Sequence, residues 1–177
     1  TLIRLKLRVK NNHVNGWFFL DKPIGVTSNF VLQKVKRIFH NCKAGFVGTL
    51  DPLASGFLPV ALGSATKIIS YIERVDKKYL FTVRWGVKTS TGDSEGEIIQ
   101  EKKKYPSIES IKNNLNNYIG HLEQITPKFS SVKINGSRAY NLARKNIEFQ
   151  TKNRKVFVKE IKLLNIISRE KAIFSVE

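Results

Sequence analysis

Residues 44–56, Ala-Gly-Phe-Val-Gly-Thr-Leu-Asp-Pro-Leu-Ala-Ser-Gly, constrain this chain more than any other stretch. They set one carboxylate, Asp51, among glycines and directly before a proline, with apolar segments on both sides. Pro52 steers Asp51 away from helix and brings no N–H to a β-ladder, so the segment reads as a loop. Gly45, Gly48 and Gly56 permit tight turns and close approach by other backbone. A carboxylate held in such a loop is an aimed group. The plainer alternative is turn chemistry, because an Asp-Pro pair also serves simply to shape a turn. The loop alone leaves both readings open.

Charge narrows the partners. Thirty-one Lys and Arg oppose 14 Asp and Glu, a net +17 over 177 residues. This imbalance says nothing about fold, but it argues for a polyanionic partner, nucleic acid first and an anionic membrane second. No apolar run is long enough for a transmembrane helix and no signal-peptide pattern is present, so no membrane role is expected. A lone Cys42 excludes an internal disulfide and fits a reducing, cytoplasmic setting. Cys42 and the scattered His13, His40 and His121 offer no zinc spacing, and no Walker or Rossmann glycine pattern occurs. Neither a metal nor another cofactor is expected.

The length suits one domain with a core. Residues 1–14 begin with alternating Ile3, Leu5, Leu7, Val9 and Arg4, Lys6, Arg8, Lys10, which predicts a basic strand or arm. Residues 15–177 read as the domain proper. Gly16–Leu20 is a strand stopping at Asp21-Lys22-Pro23. A helix follows, capped by Thr27 or Ser28, with Val31, Leu32, Val35, Ile38 and Phe39 inward and a basic outer face. Phe57–Leu62 is a strand, and Ser64 is expected to cap a helix burying Ile68, Ile69 and Ile72. Lys77–Trp85 alternates, placing Tyr79, Phe81, Val83 and Trp85 on one side. Gly86–Gly96 is a polar loop. Ser107 caps a helix with Ile108, Ile111, Leu115, Tyr118 and Ile119 inward, ended by Gly120. His121–Ile125, Ser130–Ile134, Val156–Ile167 and Ala172–Val176 read as strands, Asn135-Gly136 as a tight turn and Ala139–Lys145 as a short basic helix. Helices and strands intermix irregularly, which predicts an α+β fold. The chain looks like a piece of something longer; as the product of a degraded or split gene it would leave its last strand without a neighbour and expose a sheet edge.

Two strings carry a specific resemblance. Residues 45–56 (GFVGTLDPLASG) resemble the catalytic motif of the TruB family of tRNA pseudouridine synthases, and residues 16–28 (GWFFLDKPIGVTS) resemble that family's opening motif. A third segment, Thr126–Lys133 with Gly136, Arg138, Tyr140, Ala143 and Arg144, resembles the family stretch that lines the RNA-binding cleft. The likeness runs from about Asn15 to about Ile167 by pattern matching. It implies the pseudouridine synthase fold, a mixed, mostly antiparallel sheet flanked by helices with a central catalytic cleft. It also implies isomerisation of the T-arm uridine, position 55 in tRNA numbering, with the base flipped out of its stack. In this reading Asp51 is the nucleophile, attacking the sugar C1′ or C6 of the base. Tyr79 stacks on the flipped base and moves a proton, although an aromatic on an alternating strand is also an ordinary core residue. Lys22 and Pro23 brace the Asp51 loop or simply form a turn. Phe46, Gly48 and Thr49 face the substrate, and Lys133, Arg138, Tyr140 and Arg144 contact RNA, solvated charge being the plain alternative for each cation. The implied partner is tRNA and the implied state a monomer.

Two departures stand out. Phe46 occupies a position where the family commonly has His, and Phe has no hydrogen bond to donate, though it can wedge or stack. The family's later Lys-Gly-Thr-Tyr-Ile-Arg type motif, whose arginine pairs with the catalytic aspartate, does not occur before Glu177. A rival reading is therefore a non-catalytic tRNA-binding or chaperone-like fragment, and another is the product of a split gene. Guide-dependent relatives commonly carry Lys after the Asp-Pro; Leu53 here favours the stand-alone bacterial type.

Overall fold

The first described strand, β1 (Gly16–Lys22), is apolar along one face because every second residue points the same way. The computed structural model describes residues 14–72 and 75–177, so the expected basic arm over residues 1–14 lies outside it except for Val14. The chain divides into two compact units, Thr1–Val75 and Asp76–Glu177.

In the first unit Thr27, not Ser28, caps helix α1 (Ser28–Ile38), its hydroxyl accepting from the Phe30 N–H at 3.0 Å. Strand β2 (Ala44–Phe46) and β1 flank β3 (Gly56–Leu62), both antiparallel, with β1 and β3 in register from Gly16 opposite Leu62 to Lys22 opposite Gly56. The inward face of β3 presents Leu58, Val60 and Leu62 to Leu32, Val35 and Phe39, and these six residues form the core. Phe18 meets Phe39 edge to face with centroids 5.6 Å apart. Ile38, expected inward, is 49% exposed. At about 100° per residue it falls a quarter-turn away from the arc centred on Leu32, Val35 and Phe39.

The helix expected after Ser64 is corrected. Residues Gly63–Ile68 form a 3₁₀ segment with no side-chain cap, followed by one short helix, α2 (Ile69–Ile72). The Ser64 N–H goes to the Asn15 side chain, and Ile68, Ile69 and Ile72 are not buried. Three residues per turn eclipse the side chains and leave no continuous apolar stripe.

In the second unit β4 (Tyr79–Arg84) is followed by a hairpin of β5 (Val87–Thr89) and β6 (Ile98–Glu101), where a plain loop was expected from Gly86. Helix α3 (Ile108–Leu115) is capped by Ser107 as read. It buries Ile111, but Ile108, Tyr118 and Ile119 stay exposed. The helix tightens into a 3₁₀ turn at Asn116–Tyr118, which breaks the stripe's phase. Strand β7 (Gly120–Ile125) comes next. The expected strand Ser130–Ile134 shrinks to β8 (Lys133–Ile134), which pairs with β9 (Ser137–Arg138) through Asn135-Gly136, both at positive φ as a type I′ turn requires. Helix α4 (Ala139–Arg144) follows.

The single strand expected over 156–167 is two: β10 (Asn153–Val158), which pairs with β7, and β11 (Ile161–Ser168), which pairs with β12 (Lys171–Val176). The break comes where Lys159 and Glu160 turn their backbone to Glu177. Strand β12 lies between β11 and β4, so the last strand is central and has neighbours on both sides, contrary to the exposed edge expected. Ile111, Ala172 and Phe174 form this unit's core, with Val83 and Trp85 against it. Every strand pair among the described residues is antiparallel.

Phe174 is 4% exposed and touches the rings of both Phe81 and Trp85. Phe174→Ala is expected to cost about 3 kcal/mol in a urea unfolding curve; a loss below about 1 kcal/mol would show that this cluster does not organise the unit.

Candidate active site

Asp51 is exposed, yet the residues on either side of it are anchored. The chain leaves β2 with the Val47 N–H on the Pro59 carbonyl at 2.9 Å, turns at Gly48 (φ +69°), passes the exposed Thr49 and reaches Leu50. There the buried Ser28 hydroxyl makes two bonds to one residue, donating to the Leu50 carbonyl at 2.9 Å and accepting from the Leu50 N–H at 3.0 Å. On the far side of Asp51 the Pro52 carbonyl accepts from the Gly25 N–H at 2.8 Å. Gly25 has φ +88°, a backbone conformation that favours glycine. The loop turns back on itself through an Ala54 N–H to Asp51 carbonyl bond of 3.0 Å.

The loop that supplies Gly25 is itself tied by Lys22, whose side chain is fully buried. Its ammonium donates to the carbonyls of Pro23 at 2.9 Å and Val26 at 2.8 Å. Burial pushes the Lys22 ammonium below its ordinary value, and the negative charge of Asp51 offsets part of that push. The buried Lys22 ammonium and the exposed Asp51 carboxylate are therefore coupled electrostatically. Pro23 is exposed and acts through its carbonyl.

Phe46 ends β2 partly buried against the Leu58–Val60–Leu62 core. In the other unit Tyr79 begins β4 and is 48% exposed, so the sheet does not bury its ring as an ordinary core position would. Lys133 and Arg138 are opposite one another in the small hairpin, and the Arg138 guanidinium donates to the Ser131 carbonyl. The Arg144 guanidinium lies 5.8 Å from the centre of the Tyr140 ring. The segment is tied down by Ala139 and Tyr140 N–H bonds to the Val132 and Ser130 carbonyls and by Thr126, which donates to the Lys152 carbonyl at 2.8 Å.

The structure thus brings Lys22, Pro23 and Asp51 together in one unit and groups Lys133, Arg138, Tyr140 and Arg144 in the other. Sequence reasoning treated Ser28 only as a possible cap and passed over the Gly25 N–H. The available signal was a second hydroxyl next to an already sufficient cap. A shallow cavity of about 280 Å³ lies elsewhere in the first unit, lined in part by Cys42, Lys43 and Lys67, and includes none of the expected site residues. Among the described residues no group of three or more His, Cys, Asp or Glu could hold a metal, and no helix is long and apolar enough to cross a membrane.

An α+β chain of antiparallel sheets, with a carboxylate clamped in a Gly- and Pro-punctuated loop, is the setting in which the comparisons with known proteins fall. A family model described as TruB family pseudouridylate synthase (N terminal domain) matches residues 36–177, and the chain belongs to that family. It is 48% identical over 160 residues to the tRNA pseudouridine synthase B of Ehrlichia canis, covering 90% of this chain and 53% of that protein. It is 44% identical over 156 residues to the enzyme of the same name from a Caulobacter species, covering 88% and 50%. The chain therefore spans about half the length of these curated relatives. Among solved structures it is similar to a chain of a Cbf5-Nop10-Gar1 complex, with TM-score 0.64 and 29% identity over 91% of this chain and 38% of that one. A chain of an H/ACA RNP bound to a substrate RNA containing 2′-deoxyuridine gives 0.62 and 25%, over 91% and 37%.

Two outcomes follow from this geometry. Ser28→Ala strands the Leu50 N–H and carbonyl and is expected to cost about 1–3 kcal/mol in chemical denaturation; a neutral change would mean that the clamp carries no load. Lys22 has a folded value below its unfolded one, so between the two the unfolded chain holds more protons and stability rises with pH. Asp51→Asn removes a negative charge that raises the Lys22 value and should move its titration further down, followed by nitrogen-detected NMR of the lysine. An unmoved titration would show that the two charges do not interact.

Proposed function

We propose that this chain is the part of a tRNA pseudouridine synthase that carries the nucleophile, with residues 15–177 forming part of the catalytic domain. The observation that carries the reading is the clamped loop: both neighbours of Asp51 are fixed by hydrogen bonds while its carboxylate is left open and coupled electrostatically to a buried cation. The relatives' shared name and the family assignment support it, as does the RNA substrate in the solved H/ACA structure.

The reaction breaks the bond between N1 of uracil and C1′ of ribose, turns the base, and joins C5 to C1′. N1 gains a proton and C5 loses one, so nothing is oxidised or reduced. A carboxylate suits it because it attacks and also leaves. The Asp51 carboxylate serves either at C1′ or at C6. The target T-arm uridine has to leave its stack to reach such a loop. Tyr79 offers a ring to stack on the base and a hydroxyl to move the proton. Phe46, Gly48 and Thr49 shape the approach, with the Phe46 ring as a wedge where a donor is absent. Lys133, Arg138 and Arg144 pair with phosphates and Tyr140 supports them, reading RNA by shape.

Asp51→Asn is expected to abolish pseudouridine formation in an unmodified tRNA transcript while leaving tRNA affinity within about twofold, because the change keeps shape and removes the nucleophile. Turnover by that variant would overturn the assignment. Tyr79→Phe keeps the stacking surface and loses the hydroxyl, so the chemical step should slow by roughly 10²–10⁴-fold with little change in binding. Retained tRNA binding by the unaltered chain with no product would favour the rival reading of a non-catalytic tRNA-binding fragment.

A further inference from the structure

A second concentration of charge lies in the Asp76–Glu177 unit, at one end of the β11–β12–β4 sheet. Three segments far apart in sequence meet there. The Trp85 N–H donates to the Glu170 carbonyl at 2.9 Å, and the Lys102 N–H donates to the Gly86 carbonyl at 2.7 Å. The Tyr105 hydroxyl donates to the Glu170 carboxylate at 2.9 Å, and the Arg169 guanidinium lies 5.3 Å from the centre of the Tyr105 ring. Arg84 and Lys171 are cross-strand partners. These bonds gather Arg84, Lys102, Lys103, Lys104, Arg169 and Lys171, all exposed.

Of the two carboxylates here, Glu170 is already engaged by Tyr105 and, at 4.0 Å, by Arg84, while the exposed Glu101 adjoins Lys102 and offsets one of the six cationic charges. Among the described residues no ion pair reaches Lys102, Lys103, Lys104 or Lys171. Like charges gathered at one end of a sheet repel one another, and a polyanion relieves that repulsion. Arg84 ends the strand that Tyr79 begins, which puts the cluster roughly 17 Å along β4 from Tyr79. An RNA whose target base lies at Tyr79 would carry backbone well beyond that base.

We propose that this cluster is a docking site for backbone phosphates of an RNA, contacted outside the nucleotide that reacts. The inference rests on the RNA-modifying reading above. It differs from the segment carrying Lys133, Arg138 and Arg144 in both residues and elements. The planar Arg169, held over Tyr105, is positioned to pair with one phosphate, and the three lysines supply point charges on a short connecting segment.

The test compares two triple variants of equal charge: Lys102→Gln, Lys103→Gln, Lys104→Gln against Lys67→Gln, Lys112→Gln, Lys162→Gln. Affinity for an unmodified tRNA transcript is measured from 0.05 to 0.3 M salt. The first variant should bind about tenfold more weakly than the second near physiological salt, and its plot of log affinity against log salt should be shallower by about two. Equal affinities and slopes, with the unaltered chain still binding tRNA, would overturn the docking site and leave the RNA-modifying reading standing. Failure of the folded, unaltered chain to bind the transcript at any of these salts would overturn both.

Discussion

One serine hydroxyl does the work of a strand pairing. Pro52 brings no N–H to a ladder, and the stretch around Asp51 belongs to no described strand. Ser28 substitutes for the missing partner by bonding both the N–H and the carbonyl of Leu50. It can do so because Thr27 has taken the capping role, which frees the next hydroxyl on the buried side of the helix. Helix α1, packed on β3 through Leu32, Val35 and Phe39, thereby becomes the rigid body on which the Asp51 loop hangs.

Lys22 makes the second half of that arrangement and carries its energetic cost. A buried ammonium is unfavourable unless it is solvated by something else, and here two backbone carbonyls take that role. The Asp51 carboxylate, open to solvent, offsets part of what burial costs this ammonium. A hydrophobic residue at this position would fill the space without fixing the Pro23–Val26 turn, and Gly25 would lose the support that aims its N–H at Pro52.

Much of this is legible in the amino-acid sequence. Elements with strong local signals came through: the Thr27 and Ser107 caps and the Asn135-Gly136 turn rest on interactions within a few residues, and the alternation from Tyr79 marked strand β4 although its partner is distant. The errors fell where distant backbone decides. Residues 156–167 are divided because Lys159 and Glu160 bond to Glu177, and the isoleucines after Gly63 are left unburied by a 3₁₀ twist that periodicity does not reveal. The last strand is central because β4, some ninety residues earlier in sequence, pairs with it. At the site the motif pointed to Asp51 and Lys22, but the bonds that hold the loop come from Ser28 and the Gly25 N–H, whose long-range partners Leu50 and Pro52 no local pattern reveals.

The central claim is that the loop around Asp51 is held rigidly by α1 and the Gly25 turn. Native-state amide hydrogen exchange at Leu50 and Gly25 tests it directly, since each N–H is committed to one of the two anchoring bonds. The account predicts protection at both amides comparable to that of the β1–β3 ladder. Exchange at the rate of an unprotected loop would contradict it.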